Sequence, residues 1–200
     1  LDYVEKVQRG IEQLNTMVKN LLDLGRLEAG LELMKSPVRL DSLADAVLRD
    51  LSPMAEESGV ELVLNAPNKM PYLNLDNALM RQAIVNLVTN AIKYAPESGR
   101  ITLSVYRQPA PNGLVGEEIV ASVADNGPGI PPEEMTRLFE KFHRVQHRAN
   151  IKVKGSGLGL AIVKLVAERH DGRAWAESEL DKGSTFYISV PSIPVDFANL

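Results

Sequence analysis

Residues 86–94 read Asn-Leu-Val-Thr-Asn-Ala-Ile-Lys-Tyr, and this stretch decides the fold. A helix is predicted to begin at Asp76, because an aspartate side chain accepts hydrogen bonds from the unpaired N–H groups of a first turn. Pro96 and Gly99 end the helix after about Tyr94. An apolar face for a core is formed by residues that recur three and four positions apart, Leu79, Ala83, Leu87, Ala91 and Tyr94.

A second face of this predicted helix carries Gln82, Asn86, Asn90 and Lys93 at the same spacing. Amide oxygens ligate Mg²⁺, and a lysine ammonium pairs with phosphate. The stripe therefore suits a metal-bound polyphosphate. Taken alone, it is more often the pattern of a solvated helix face.

Two further clusters suit a nucleotide. The first, residues 125–130, reads Asp-Asn-Gly-Pro-Gly-Ile directly after a predicted strand. Its carboxylate offers an acceptor for a base amine, although a plain turn has the same composition. The second, residues 155–160, reads Gly-Ser-Gly-Leu-Gly-Leu and opens a helix, where free N–H groups attract phosphate. By itself this glycine pattern is weak.

Between these clusters, residues 138–144 read Leu-Phe-Glu-Lys-Phe-His-Arg. Phe139 and Phe142 are predicted to be hydrophobic anchors of a loop that continues with Arg148, Lys152 and Lys154. Because these basic residues stand out in an acidic chain, the loop is predicted to be a lid that closes over phosphates.

The first 30 residues predict a helix with a narrow apolar seam, typical of a helix bundle rather than of a surface helix packed on its own domain. The seam residues are Val4, Val7, Ile11, Leu14, Val18 and Leu21. Asp41 predicts the cap of a second helix that ends near Gly59. Strands are expected at 60–64, 100–106, 118–124, 173–178 and 184–190.

Composition narrows the function classes. The chain has 200 residues and a formal charge of −4, so it has no global attraction to nucleic acid or an anionic membrane. It has no cysteine, which excludes disulfides and thiolate chemistry and fits a reducing cytoplasm. No run of about 18 apolar residues is present to cross a bilayer. The abrupt helical start suggests a piece of a longer protein. Any membrane attachment is expected to belong to the full-length protein, and this piece is expected to make no membrane contact.

In this order, the motifs resemble the nucleotide boxes of sensor histidine kinases, within the ATPase superfamily shared with gyrase, Hsp90 and MutL. Residues 86–94 resemble the N box, 125–130 the G1 box, 138–144 the F box and 155–160 the G2 box. Residues 182–186, Lys-Gly-Ser-Thr-Phe, resemble the final glycine box. Residues 21–28 resemble the end of the second helix of the dimerisation hairpin.

The resemblance implies ATP and Mg²⁺ as ligands and assigns individual roles. Asn90 would ligate the metal, Asn86 and Lys93 would lie at the phosphates, and Arg144 would steady the γ-phosphate during transfer. Asp125, supported by Thr185, would accept a hydrogen bond from the adenine amine. The remaining nucleotide contacts would be Tyr94, Gly127, Gly129, Ile130, Gly155, Ser156, Gly157, Leu158 and Gly159.

One position separates the kinases from their hydrolysing relatives. The relatives carry a water-activating glutamate one turn before the metal-binding asparagine, and here that position is Asn86, which is no base. Position 85, which is often acidic in histidine kinases, is Val85 here. The role of an accessory base at that position is therefore in doubt. The alternatives are a degenerate nucleotide-binding module without transfer activity and a superfamily ATPase.

The resemblance implies an α+β fold, a two-layer α/β sandwich with a mixed sheet covered by helices on one face and preceded by a protruding helix. We expect the hairpin helix at 1–34, the catalytic domain at 35–191 and a tail at 192–200. None of His143, His147 and His170 occupies the position of the accepting histidine, so the chain is expected to donate phosphate to a histidine elsewhere. The implied partners are a response-regulator receiver domain and, in the full-length protein, a second copy.

Overall fold

A computed structural model describes residues 2–30, 32–67, 70–96, 98–111, 116–145 and 155–195. It contains five helices and seven strands within these ranges. The helices are α1 Asp2–Glu28, α2 Leu40–Glu57, α3 Asn77–Tyr94, α4 Pro132–Met135 and α5 Gly159–Arg169. The strands are β1 Lys35–Val38, β2 Glu61–Asn65, β3 Leu73–Asp76, β4 Arg100–Pro109, β5 Glu117–Asp125, β6 Arg173–Glu179 and β7 Gly183–Pro191.

The main sheet has five strands in the order β2-β4-β5-β7-β6. β2 pairs in parallel with β4, and the other pairs are antiparallel. Apolar side chains alternate along the central strands, so that one face of the sheet carries Ile101 and Leu103 of β4 and Ile119 and Val123 of β5. Helices α2, α3 and α5 cover this face. The predicted two-layer fold with a mixed sheet is confirmed.

α3 is buried more widely than the predicted stripe. Ala83, Leu87 and Ala91 are buried as expected, and Ile84 and Val88 beside them are fully buried as well. The wider face arises because α3 packs on the sheet and also against α2 and α5. Its start is the predicted one: the Asp76 side chain accepts a hydrogen bond from the N–H of Leu79 at 3.1 Å.

The start of α2 differs from the prediction. The helix begins at Leu40, its N-cap residue is Arg39, and Asp41 lies inside the first turn. The Asp41 carboxylate is paired with the Arg39 guanidinium instead of capping the helix. Burial of Leu40, which is 1% exposed, explains why the helix begins two residues early.

The two short strands β1 and β3 were not predicted. They pair antiparallel with Pro37 opposite Asn74. A proline is tolerated in such an edge strand because it need not donate to a ladder. The region 192–200, predicted as a tail, is tied to this small sheet at its start: the N–H of Val195 donates to the carbonyl of Tyr72 at 2.8 Å.

The seam of α1 is exposed. Val7, Ile11, Leu14, Val18 and Leu21 are each more than half exposed, while the side chain of Val4 lies outside the described residues. α1 is instead anchored by its last two turns, where Leu24 and Leu27 are buried. No helix among the described residues is long and apolar enough to span a bilayer.

Candidate nucleotide-binding site

A cavity of about 500 Å³ lies between α3, the start of α5 and the ends of β5 and β7. It gathers side chains from all the predicted motifs, which are far apart in the sequence. The predicted site residues that line it are Asn86, Asn90, Lys93, Tyr94, Asp125, Gly129, Ile130, Arg144, Gly155, Ser156, Gly157 and Gly159. Such a volume suits a nucleotide-sized ligand.

Three of the four residues of the polar stripe of α3 line the cavity, and the fourth contacts α1. Asn86, Asn90 and Lys93 face the cavity. Gln82 is drawn away from the cavity, because its amide donates to the Asp23 carboxylate of α1 at 2.8 Å. Nearby protein atoms partly remove water from the Lys93 ammonium, and this desolvation lowers its pKa.

The amide of Asn86 also organises the glycine-rich segment. Its Nδ2 donates to the carbonyl of Gly159 at 3.3 Å, where α5 begins. A Cβ atom added to Gly159 would lie within 4 Å of the Asn86 side chain. The N-terminus of α5 therefore opens into the cavity beside the amide stripe, and its N–H groups and positive dipole favour an anion there.

Leu158 was predicted among the nucleotide contacts through its backbone, and its side chain belongs to the core. Its side chain is fully buried, and it is not part of the cavity wall. Gly157, one residue earlier, has φ +71°, and an added Cβ would lie 2.7 Å from the carbonyl carbon of Phe142. This turn allows Leu158 to enter the core while Ser156 and Gly157 stay at the cavity.

Asp125 ends β5 at the opposite side of the cavity. Burial raises the pKa of its carboxyl group, while hydrogen bonds from the backbone N–H groups of Gly127 and Ser184 oppose that rise. The Gly127 N–H lies 2.8 Å from Oδ1. Gly127 does not line the cavity itself, but a Cβ there would meet Asp125 and the Tyr94 carbonyl at 2.8 Å. Gly127 therefore orients the Asp125 carboxylate instead of lining the cavity.

The residue of β7 that lies beside Asp125 is Ser184 rather than the predicted Thr185. Ser184 and Phe186 line the cavity. Because successive side chains of a strand point to opposite faces, Thr185 between them faces the other side of the sheet. The prediction was off by one residue, since the glycine box alone does not show which strand residue faces inward.

The turn after Asp125 is fixed by close backbone contacts. Gly129 has φ +69°, and an added Cβ would lie 2.1 Å from the carbonyl oxygen of Glu179. The N–H of Ile130 donates to the Ser178 hydroxyl at 2.9 Å. Because the segment 125–130 passes this close to the β6–β7 turn, only glycine fits at position 129.

The segment 138–145 forms another wall of the cavity. Leu138 is buried and Phe139 packs against the core, whereas Phe142 is 61% exposed with φ +62°. Phe139 is therefore an anchor as predicted, and the prediction for Phe142 was wrong. Arg144 lines the cavity close enough to Tyr94 to act on its hydroxyl electrostatically. The predicted lid residues Arg148, Lys152 and Lys154 lie outside the described residues.

Two histidines are described, and both are engaged. His170 is 3% exposed; its Nε2 accepts from the Asp76 N–H at 2.9 Å and its Nδ1 lies 2.7 Å from the Val166 carbonyl. The Nε2 of His143 lies 2.7 Å from a Glu134 carboxylate oxygen. His147 lies outside the described residues. Among those residues, no three histidine, aspartate or glutamate side chains form a metal cluster.

The cavity fits a magnesium nucleotide on chemical grounds. One end has an acceptor carboxylate at Asp125 beside half-buried Tyr94, as a purine requires. The other end combines amide oxygens, Lys93 and the backbone of the glycine-rich segment, as a metal-bound polyphosphate requires. The space beside Gly155 is open, since a Cβ added there would meet no atom within 4 Å. The sequence profile of the family described as histidine kinase-, DNA gyrase B- and HSP90-like ATPase matches residues 75–194, which contain all of these groups.

The chain belongs to this family. The sensor-like histidine kinase SenX3 of Mycobacterium tuberculosis (strain H37Rv) is 34% identical over 192 residues, which are 96% of this chain and 45% of SenX3. The adaptive-response sensory kinase SasA of Crocosphaera subtropica is 32% identical over 179 residues, 89% of this chain and 45% of SasA. The crystal structure of full-length ShkA in complex with AMPPNP has a TM-score of 0.80 and 31% identity, covering 97% of this chain and 39% of ShkA.

These kinases confirm the resemblance to the ATP-binding catalytic domain of sensor histidine kinases. The chain spans about half the length of the curated relatives it matches, or less. The AMPPNP complex is a property of ShkA.

Sequence reasoning missed part of the cavity wall. Met17 and Asn20 of α1, Met54 of α2 and Val85 and Thr89 of α3 also line it. Met17, Asn20 and Met54 are brought there by the contacts of α1 with α5 and of α2 with α3, which no local motif signals. Ser184 could have been found from the alternation of β7, and His143 from its place beside Arg144.

Proposed function

We propose that this domain binds Mg-ATP in the cavity and supplies its γ-phosphate to a histidine, as part of a sensor histidine kinase. The observation that carries the proposal is the meeting of Asn90, Asp125 and the segment Gly155–Gly159 in one cavity. Charge stabilisation and positioning do most of the work in phosphoryl transfer, and the cavity provides groups for both.

Each end of the cavity would hold one part of the nucleotide. Asp125 would accept from the adenine amine, and Tyr94 would lie against the ring beside Ile130. Asn90 would ligate Mg²⁺, which when bound neutralises phosphate charge. Asn86 and Lys93 would hold phosphate oxygens, and Arg144 would steady the γ-phosphate together with the backbone of Gly155, Ser156, Gly157 and Gly159.

Asn86 favours transfer over hydrolysis. A carboxamide does not accept a proton from water at neutral pH, so the position that would activate water has no base. The Asn86 amide is also held to Gly159. This argues against the superfamily ATPase, and the complete set of cavity groups argues against a degenerate nucleotide-binding module.

We infer that the acceptor is none of the three histidines of this chain. His170 is buried with both ring nitrogens engaged, and His143 is held by Glu134 in the cavity wall. The exposed seam of α1 suits a second copy of the hairpin helix in a homodimer, since burying such a seam removes apolar area from water. The onward acceptor would be an aspartate of a response-regulator receiver domain, with the reaction in the cytoplasm.

Incubation with γ-labelled ATP and Mg²⁺ separates the three functions. We expect nucleotide binding, no acid-labile phosphate on this chain, negligible steady-state hydrolysis, and labelling of a histidine-bearing kinase hairpin supplied in trans. Steady-state turnover would establish the ATPase instead. Binding without transfer to any hairpin would favour the nucleotide-binding module, and acid-labile label on the chain itself would overturn the inference about its histidines.

A further inference from the structure

Helix α1 contributes to the wall of the nucleotide cavity, although none of the nucleotide motifs lies in it. Met17 and Asn20 line the cavity and are half-buried. They lie on the same face of α1 as the buried Leu24 and Leu27, because these four residues recur three and four positions apart. The exposed apolar seam occupies a different face of the helix. One face of α1 is therefore packed on the rest of the chain, and Asn20 is a polar residue on it.

Contacts at two levels fix the direction of α1 relative to α3. Near the middle of α3, the Gln82 amide donates to the Asp23 carboxylate of α1 at 2.8 Å. Just after α1 ends, a Cβ added to Gly30 would lie 3.6 Å from a guanidinium nitrogen of Arg169, at the end of α5. The end of α5 is itself joined to the start of α3. The end of α1 therefore lies toward the start of α3, and the two helices run in opposite directions.

This arrangement places Asn20 at the level of Asn86. Asn20 comes three residues before the contact with Gln82, about 4.5 Å along the axis of α1, and Asn86 comes four residues after it, about 6 Å along α3. Because the helices run in opposite directions, both steps lead the same way, toward the start of α5. There the Asn86 amide donates to the Gly159 carbonyl. α1 also packs against α5. Asn20 thus enters the cavity at the end where the amide of Asn86 meets the glycine-rich segment.

A carboxamide at this place has the right chemistry for a phosphate oxygen. Its NH₂ group offers two donors, and the Asn20 side chain makes no hydrogen bond to any other residue that the structure describes. The N-terminus of α5 and Lys93 at the same cavity already favour an anion. Asp23, whose charge would repel phosphate, is engaged by Gln82 and does not line the cavity.

We propose that Asn20 donates a hydrogen bond to the terminal phosphate of the bound nucleotide, so that α1 completes the site. The inference rests on the proposed function, because it needs a polyphosphate at the Asn86 end of the cavity. Gln82 is a positioning residue, since its hydrogen bond to Asp23 holds α1 in place. Linkage makes the effect reciprocal: a triphosphate stabilises the docked position of α1 more than a diphosphate does.

Calorimetric titration of Asn20→Ala with Mg-AMPPNP and with Mg-ADP tests the contact. We expect the affinity for AMPPNP to fall about tenfold, the loss of one hydrogen bond to a charged group, and the affinity for ADP to change by less than about twofold. Asn15→Ala is the matched control, because it makes the same substitution in the same helix at an exposed residue that does not line the cavity. It should bind both nucleotides like the wild type.

Gln82→Ala tests the positioning contact without touching the nucleotide. It should weaken AMPPNP binding and leave ADP binding nearly unchanged, because only the contact from α1 is lost. Combined with Asn20→Ala, it should add little, since both substitutions remove the same hydrogen bond to phosphate. Additive losses in the double variant would contradict the positioning role of Gln82.

The outcomes separate this inference from the proposed function. If Asn20→Ala binds AMPPNP like the wild type, or loses affinity equally for AMPPNP and ADP, the phosphate contact is overturned while nucleotide binding stands. Failure of the wild type to bind either nucleotide would overturn the proposed function as well. Circular dichroism confirms that each variant is folded.

Discussion

The charge of Asp125 is expected to favour ATP binding and to lower the stability of the fold. Burial raises its pKa, so at neutral pH the folded protein keeps a charge that burial disfavours. Asp125→Asn keeps a carbonyl acceptor for the Gly127 N–H but removes the charge and reverses the donor pattern for an adenine amine. We expect ATP affinity to fall about 10- to 100-fold, the loss of one charged hydrogen bond, with a melting temperature equal to or above that of the wild type.

Fluorescence titration and thermal denaturation check both halves of this prediction. Asp181→Asn is a matched control, because Asp181 is exposed at φ +62°, a conformation that asparagine tolerates, and lies outside the cavity. Unchanged affinity of Asp125→Asn would contradict the role of Asp125 in base recognition.

Gly129 tests the close backbone approach behind that site. Gly129→Ala places a Cβ 2.1 Å from the Glu179 carbonyl oxygen at a positive φ. Left-handed strain and the clash should lower the free energy of unfolding by about 2 kcal/mol or more. Gly155→Ala, where an added Cβ meets nothing within 4 Å, should leave it nearly unchanged. Urea denaturation measures both, and equal stability of the two variants would show that the turn relaxes freely.

At the scale of elements, His170 joins the end of α5 to the start of α3. Burial lowers its pKa, and its neutral ring accepts the Asp76 N–H. The unfolded chain therefore binds the proton more readily, so this contribution to stability is complete above the ordinary histidine pKa of about 6.5 and is lost as pH falls below it.

Denaturant unfolding between pH 5 and 8 checks this sign. The wild type should lose stability as pH falls from about 7 to 5, and His170→Ala should lose part of that slope. It should also be less stable by about 1–3 kcal/mol at pH 8, because the Asp76 N–H is left unpaired. Parallel pH profiles for the two proteins would refute the assignment. His143→Tyr serves as the control for the other described histidine.

The exposed seam of α1 predicts self-association. Leu14→Glu puts a charge in the centre of the seam and should shift the protein toward monomer in sedimentation velocity at increasing concentration. Lys19→Glu, exposed outside the seam, is the control. ATP affinity should be the same in both variants, because neither residue lines the cavity. Identical sedimentation of Leu14→Glu and the wild type would contradict the proposed helix partner.

At the scale of the whole molecule, the sequence was most informative where function restricts residue type. The amides of α3, Asp125 and the glycines could all be assigned to one site, because in this order they resemble the nucleotide boxes of the family. The cap at Asp76 followed from local chemistry and most strand positions from apolar runs, whereas the mixed sheet was what the family resemblance implied.

Long-range packing accounts for what the sequence did not reveal. β1 and β3 are short and stable only as a pair, and Leu40 shifts the start of α2 because it finds a place in the core. The burial of Leu158 and the outward Phe142 depend on contacts with distant segments. None of these contacts leaves a local pattern.

The central claim is that one magnesium nucleotide binds between α3 and α5. Calorimetric titration with AMPPNP, with Mg²⁺ and with EDTA, tests it on the wild type and on Asn90→Ala. We predict one site per chain, tighter binding with Mg²⁺, and loss of most of that magnesium effect in Asn90→Ala, while binding in EDTA changes little. An affinity that depends neither on Mg²⁺ nor on Asn90, or no binding at all, would contradict the account.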